Sequence, residues 1–339
     1  MSADEAVTEQ RKGPPLVVVV TLLTAILTVL LIAFAWPASR SEPRDLPLAV
    51  AGPPAAVSQV SGLLEQRSPG AFEVEALADR AAAVQAIEDR DVYGAIVLDQ
   101  PQSIEVLTAS AGGPAVAQIL AQMPAQLAAA QPGLTAKVTD VVPLPADDPR
   151  GAGLAAGALP LVLGGILAAV LLTQLVQAGI RRVIGAIGFS ITGALALAAI
   201  LQYWLGSLEG NYFANAGVIA LSVAATSLTL LGLEWLIGTP GIGLGSAIMM
   251  LLGNPLSGLT SAPEMLPSGW GALGQLLPPG AAGTALRSVS FFDGAGAGRP
   301  FLVLSCWLVL GLALCTLGAL RSRSRSVVHG RHEASPVTV

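Results

Sequence analysis

An unbroken apolar run from Leu16 to Trp36 is followed by mixed, soluble-looking sequence from Ala38 to Arg150, and then by a half that is apolar almost throughout. A hydrocarbon layer takes about 20 apolar residues per crossing helix. This layout therefore restricts the chain to folds in which a water-soluble insert interrupts a helical membrane bundle. The spans read as Leu16 to Trp36, Leu154 to Val176, Val183 to Trp204, Ala214 to Ile237, Ile242 to Leu252 with its flanks, and Phe301 to Leu320, the fifth being short and glycine-rich. Composition agrees: 53% of residues are hydrophobic and only 12% charged, the balance of a multispanning protein.

Lys and Arg near span ends are retained on the cytoplasmic side. Arg11 and Lys12 precede the first span, Arg181 and Arg182 separate the second from the third, and Arg321, Arg323, Arg325 and Arg331 follow the last, while Gly206 to Asn215 carries neither residue type. Six spans with both termini in the cytoplasm put all these clusters inside and residues 38–150 outside; five would strand one of them. The expectation is a multi-pass plasma-membrane protein with an N-terminal stretch 1–15 and a basic tail 321–339 on the inner side. Ala33-Phe34-Ala35 after Arg11-Lys12 also fits a cleaved signal peptide, but the apolar run exceeds an ordinary signal core and favours a retained anchor. Cys306 and Cys315 both fall in the last span, too far apart along a helix to bridge, so no disulfide is expected in the insert.

Between Ala38 and Arg150 there are 14 Asp or Glu against 7 Lys or Arg, so the insert carries the acidity of a chain whose net charge is -5. Alternating patterns predict strands at Leu46 to Ala51, Phe72 to Leu77, Val92 to Leu98, Ile104 to Ala109 and Lys137 to Val142. Helices are expected at Pro54 to Gln66, at Arg80 to Asp89 behind an Asp79 N-cap, and at Pro114 to Ala130. The result is a small α/β domain of order β-α-β-α-β-β-α-β. It contains no His and no Cys, so a nucleophile would have no imidazole base there. His329 and His332 fall in the tail, and neither they nor Asp147-Asp148, read as a solvated turn closing the domain, predict a metal site. Gly112-Gly113 reads as a turn and helix start. No catalytic residue, metal or cofactor is expected, and no nucleic-acid partner.

In the apolar half, small residues such as Gly153, Gly157, Gly164, Gly165, Gly185, Gly188, Gly193, Gly241 and Gly245 suit close helix packing in lipid, within one bundle or across a dimer face. Glu234 is the one acidic residue in the spans. It reads as an interfacial carboxylate, with Arg181 and Arg182 as the other candidates for an interfacial or coupling role. Residues 253–300 are too polar and proline-broken to span, yet too apolar for a free loop. Non-helical backbone at membrane depth survives only where protein or a wet cavity satisfies it. A re-entrant outer-mouth segment is therefore expected, with Asn254, Pro255, Ser257, Gly258, Pro263, Glu264, Pro267, Trp270, Pro278, Pro279 and Arg287 as its candidate residues.

This arrangement, together with Asp140-Val141-Val142-Pro143-Leu144-Pro145-Ala146-Asp147-Asp148-Pro149-Arg150-Gly151 leading into the second span, Asn254-Pro255-Leu256-Ser257-Gly258 and Pro263-Glu264-Met265-Leu266-Pro267, resembles the type-2 ABC transporter permeases, specifically the phage-infection-protein-like branch common in actinobacteria. High Ala, Gly and Arg with only Lys12 and Lys137 as lysines suits such a genome. The resemblance implies a homo- or heterodimer whose spans line an export path for a lipid-like or amphipathic substrate, driven by a separate ATPase. The sequence has no Gly-x-x-x-x-Gly-Lys-Ser/Thr phosphate loop of its own. The alternative is a non-transporting surface protein whose external domain binds envelope components or a protein partner.

Overall fold

The computed structural model describes residues 15–100, 103–130, 135–177 and 179–332. Arg11 and Lys12 lie outside them, and the side chains of His329 and His332 are likewise not described. Helix α1 (Leu16–Ser39) runs past Pro37, where the sequence suggested a stop, and Pro37 is its one buried residue. The α/β domain follows, with β1 (Leu46–Ala51), α2 (Pro54–Arg67), β2 (Phe72–Leu77), α3 (Arg80–Glu88), β3 (Gly94–Gln100), β4 (Ser103–Thr108), α4 (Pro114–Ala130) and β5 (Thr135–Asp140) in the expected order.

The sheet order is β2-β1-β3-β4-β5; all neighbours are parallel except the β3–β4 pair. Side chains alternate across a strand, which splits the core in two. Leu46, Leu48 and Val50 of β1 join Ile96, Val106, Val57, Val116 and Leu120 on the face covered by α2 and α4. Ala49 and Ala51 join Ala95, Val97, Leu107, Ala83 and Ile87 on the face covered by α3. Neither core is closed by the domain alone. Ala262 and Met265 complete the first, and Phe292 completes the second.

Three strands sit a little away from their predicted bounds, β4 by one residue and β3 and β5 by two, the latter pair for packing reasons. Val92 and Tyr93 fall before β3, because their amides donate to the carbonyls of Ala86 and Pro47. Val141 and Val142 leave β5 to pack with Leu144 on the α3 face. The Asp147-Asp148 turn is also corrected. Asp147 is exposed, but Asp148 is 8% exposed and its carboxylate accepts from the amides of Ala152 and Gly153, both at 2.8 Å, capping the next helix.

That helix, α5 (Ala152–Leu175), begins the bundle. It is followed by α6 (Ile180–Ala199, extended by a π turn, Ile200–Trp204), α7 (Tyr212–Ile237), α8 (Thr239–Ala247, extended by a π turn, Ile248–Gly253), the short α9 (Trp270–Gln275), α10 (Pro278–Phe291) and α11 (Gly298–His332). Helix α7 is central, packed by α5, α6, α10 and α11. Close approach is paid for with glycine: a Cβ at Gly232 would lie 2.5 Å from Leu314 Cβ, and one at Gly311 2.6 Å from the Thr229 amide. Of the small residues picked out in the sequence, Gly165, Gly185 and Gly245 meet Thr226, Leu172 and Leu230 within the bundle, while Gly164 and Gly188 meet nothing.

Five helices are long and apolar enough to cross a membrane: Leu16–Ser39, Ala152–Leu175, Ile180–Trp204, Tyr212–Ile237 and Gly298–Arg321. The predicted fifth span, Ile242 to Leu252, is instead part of a shorter apolar helix, Thr239–Gly253. At 1.5 Å rise per residue it reaches roughly 22 Å, short of a ~30 Å hydrocarbon core.

Candidate functional site at the junction of domain and bundle

Proline and glycine shape residues 253–300. Pro278 and Pro279 open α10, where a missing amide hydrogen costs nothing. Gly253 meets the Pro279 ring, and Gly258 turns at φ +69° against the Pro263 nitrogen. A Cβ at Gly274 would run into the Leu256 carbonyl, and one at Gly271 into that of Pro263. From its start, α10 packs Ala281 and Ala282 against Leu221 and Leu304. Near its end Ser290 donates to Asn215 Oδ1 at 2.8 Å. It therefore lies antiparallel along the first turns of α7.

Within this segment the backbone is satisfied by protein, as buried polar groups must be. Ser257 Oγ donates to the Asn254 carbonyl at 2.7 Å, Gln275 Nε2 to the Ser257 carbonyl at 2.9 Å, and Trp307 Nε1 to the Leu276 carbonyl at 2.8 Å. Trp270 meets Trp36 of α1 edge to face, with ring centroids 5.6 Å apart.

The α/β domain is seated on this segment. The Arg44 amide donates to the Glu264 carbonyl at 3.0 Å, and the Arg44 guanidinium to the Met265 carbonyl at 3.2 Å. Tyr93 Oη donates to Glu264 Oε2 at 2.7 Å. Arg90 donates to the Thr284 carbonyl at 3.1 Å and to Ser288 Oγ at 2.6 Å, and its guanidinium lies 5.0 Å from the centroid of the Phe292 ring. Together they enclose a cavity of about 510 Å³, within the usual range for small-molecule sites.

Of the candidate residues, Pro263, Glu264, Pro267 and Arg287 line this cavity; Asn254, Pro255, Ser257, Gly258, Trp270, Pro278 and Pro279 build the scaffold beside it. Arg287 is 6% exposed, and one of its nitrogens donates to the Leu259 carbonyl at 2.6 Å. Burial pulls the Arg287 pKa down to about 10, and the like charge of Arg90 acts in the same direction. Burial also pushes the Tyr93 phenol above its ordinary value, helped by the charge and hydrogen bond of Glu264. Arg90 and Tyr93 were missed in the sequence, because Arg90 reads as part of a solvated turn after a helix and Tyr93 as the start of a strand.

Glu234, Arg181 and Arg182 are not part of this site. Arg182 Nη1 pairs with Glu234 Oε2 at 3.1 Å, while its other nitrogens donate to the carbonyls of Val176 and Thr173; Arg181 is exposed. These contacts lie at the opposite end of α7 from Asn215. Among the described residues no cluster of His, Cys, Asp and Glu is arranged to hold a metal.

No family model matches the sequence, and no curated protein matches it. The fold defines the class of protein: a multi-pass membrane protein, with a small α/β domain between its first two apolar helices.

Proposed function

We propose that the chain is the permease-like subunit of an exporter, moving a lipid-like or amphipathic substrate outward with a separate ATPase, and that the α/β domain sits outside over the mouth of the path. One observation carries this reading. The proline-rich segment is shared between bundle and domain, since Ala262, Met265 and Phe292 belong to the domain's cores while Ala285 and Leu286 belong to the bundle's. A domain that only needed an anchor would have no reason to borrow its core from the bundle.

In this reading α8 rises from the inner face and the segment after it completes the fifth of six crossings, so both termini lie inside. The Arg182–Glu234 end, with the basic tail, faces the cytoplasm and offers the surface for the ATPase. Two copies form the working unit.

Two experiments test it. In a variant with Cys306 and Cys315 replaced, a cysteine introduced at exposed Glu88 should react with a membrane-impermeant maleimide in intact cells, and one at Ser324 only after permeabilisation. Crosslinking in cells followed by isolation of the full chain should recover a second subunit carrying a nucleotide-binding phosphate loop. Repeated isolation without such a subunit would overturn the exporter reading.

A further inference from the structure

Arg287 is a buried cation with few partners among the described residues. A guanidinium carries five N–H donors, and among the described residues this one uses a single nitrogen, toward the Leu259 carbonyl. It makes no ion pair among the described residues, although it is 94% buried by its 6% exposure. The residue lines the cavity. An uncompensated buried charge is expensive, and a second, half-buried guanidinium lines the same cavity: Arg90, held over Phe292 and likewise without an ion pair among the described residues.

The inner wall thus brings two guanidinium groups together against one carboxylate, Glu264, which is engaged by the Tyr93 hydroxyl. The other carboxylates lining the cavity, Asp45 and Asp91, are exposed, where water screens them. Ile87, Val92 and Leu266 supply an apolar side to the same space. Guanidinium forks match the oxygens of a phosphate better than any other side chain does.

We propose that this cavity is a binding site for a phosphate ester, with Arg287 and Arg90 as its anion-binding residues and the apolar wall receiving the carbon portion next to the phosphate. The proposal rests on the exporter reading only in taking the ester to be the headgroup of the transported amphiphile. The anion site itself is tested without any transport.

The full chain, in zwitterionic detergent without added anion, is titrated with dihexanoyl phosphatidic acid, with inorganic phosphate and with dihexanoyl phosphatidylcholine, binding being read by native mass spectrometry. Saturable binding of the phosphatidic acid is expected, weakened at least 10-fold by Arg287→Met and unchanged by Arg67→Gln, an exposed arginine of α2. Competition by inorganic phosphate would show that the phosphate group alone is recognised; phosphatidic acid binding that phosphate does not displace would show that the ester's carbon portion contributes. Both support the site.

A structural role for Arg287 predicts a different pattern. If Arg287 only holds the Leu259 carbonyl, Arg287→Met lowers the thermal midpoint of the anion-free protein; if it waits for an anion, the midpoint stays or rises, and added phosphatidic acid raises the midpoint of the wild type alone. Should Arg287→Met fail to fold, Arg90→Gln at the half-buried wall must give the same weakening. Absence of saturable binding in the wild type, or equal binding by both variants, would sink the proposal while leaving the crosslinking result of the exporter reading untouched.

Discussion

If the proline-rich segment is part of the α/β domain's core, then Phe292→Ala, a change outside the domain's sequence, should loosen the domain itself. Phe292 is 7% exposed and packs with Ala83, Ile87, Val92 and Ala109 beneath the α3 face. Truncating a buried Phe to Ala typically removes 3–5 kcal/mol, the range reflecting how far the site collapses. The turn after α10 can partly close in, which argues for the lower end. The lost contact of the Arg90 guanidinium with the ring, about 0.5–1 kcal/mol at a half-exposed site, falls within that range rather than adding to it. A loss of about 3 kcal/mol corresponds to roughly a 100-fold rise in the population of the open domain, since each 1.4 kcal/mol is tenfold. Hydrogen–deuterium exchange on the full chain reads it: amides of β1, α3 and β3 that exchange through domain opening should speed up by about two decades, while α7 and α11 hold. Acceleration confined to residues 289–297, with β1 and β3 unchanged, would refute the shared core.

Breaking the Arg182–Glu234 pair by Glu234→Leu should destabilise by about 3 kcal/mol, because a mostly buried guanidinium is left with two carbonyls; the double variant with Arg182→Met should recover most of the loss in a double-mutant cycle of thermal or denaturant unfolding. Asn215→Leu should cost about 2–3 kcal/mol, read as a lower thermal midpoint, since Asn215 is fully buried and its amide bonds Gln202, the Glu209 carbonyl and Ser290. Arg80 above all, then Thr139 and Lys137, hold the Glu105 carboxyl at about 2, below its ordinary 4.5. A depressed carboxylate contributes stability above its unfolded pKa and loses it as pH falls through the folded value. The α/β domain should therefore weaken between about pH 4.5 and 2, and Glu105→Gln should flatten that part of the pH–stability curve.

Local rules were legible where local physics decides. Asp79 was readable as an N-cap, and its carboxylate accepts from the Ala82 amide at 2.9 Å. The strand patterns placed β1 and β2 at their observed bounds, because β1 is a short apolar run buried on both faces and β2 an exposed edge that alternates with Glu73 and Glu75. The same reasoning misjudged Asp148, since capping needs the helix start at Ala152 to turn back on it, and two adjacent acids look solvated until it does. Ile242 to Leu252 carries the apolarity of a span but not its length. Tyr93 and Glu264 meet across 171 positions and Arg90 reaches Ser288 across 198, so the walls of the cavity come from contacts that only the assembled fold creates. Arg287 and Glu264 were among the candidates only as members of the proline-broken segment; their partners in the acidic, soluble-looking insert were not.

The glycine contacts decide how such an assembly can move. Backbone touches backbone where Gly274 meets Leu256 and Gly271 meets Pro263, so these strands of the segment cannot slide past each other without separating. The joints to the α/β domain are mostly of another kind: beside two backbone hydrogen bonds, from the Glu42 and Arg44 amides to the carbonyls of Met265 and Glu264, they consist of one tyrosine–carboxylate hydrogen bond, arginine side chains on carbonyls, and three apolar side chains. Side-chain joints of this sort reform at modest cost, whereas backbone interlocks do not. If the cavity opens, it therefore opens at the domain side, by Tyr93 and Arg90 parting from Glu264 and α10, while Arg287 stays fixed in the bundle. The two guanidinium groups then belong to different bodies, Arg287 to the bundle and Arg90 to the domain, so such an opening would take the proposed anion site apart and a bound anion would hold it closed.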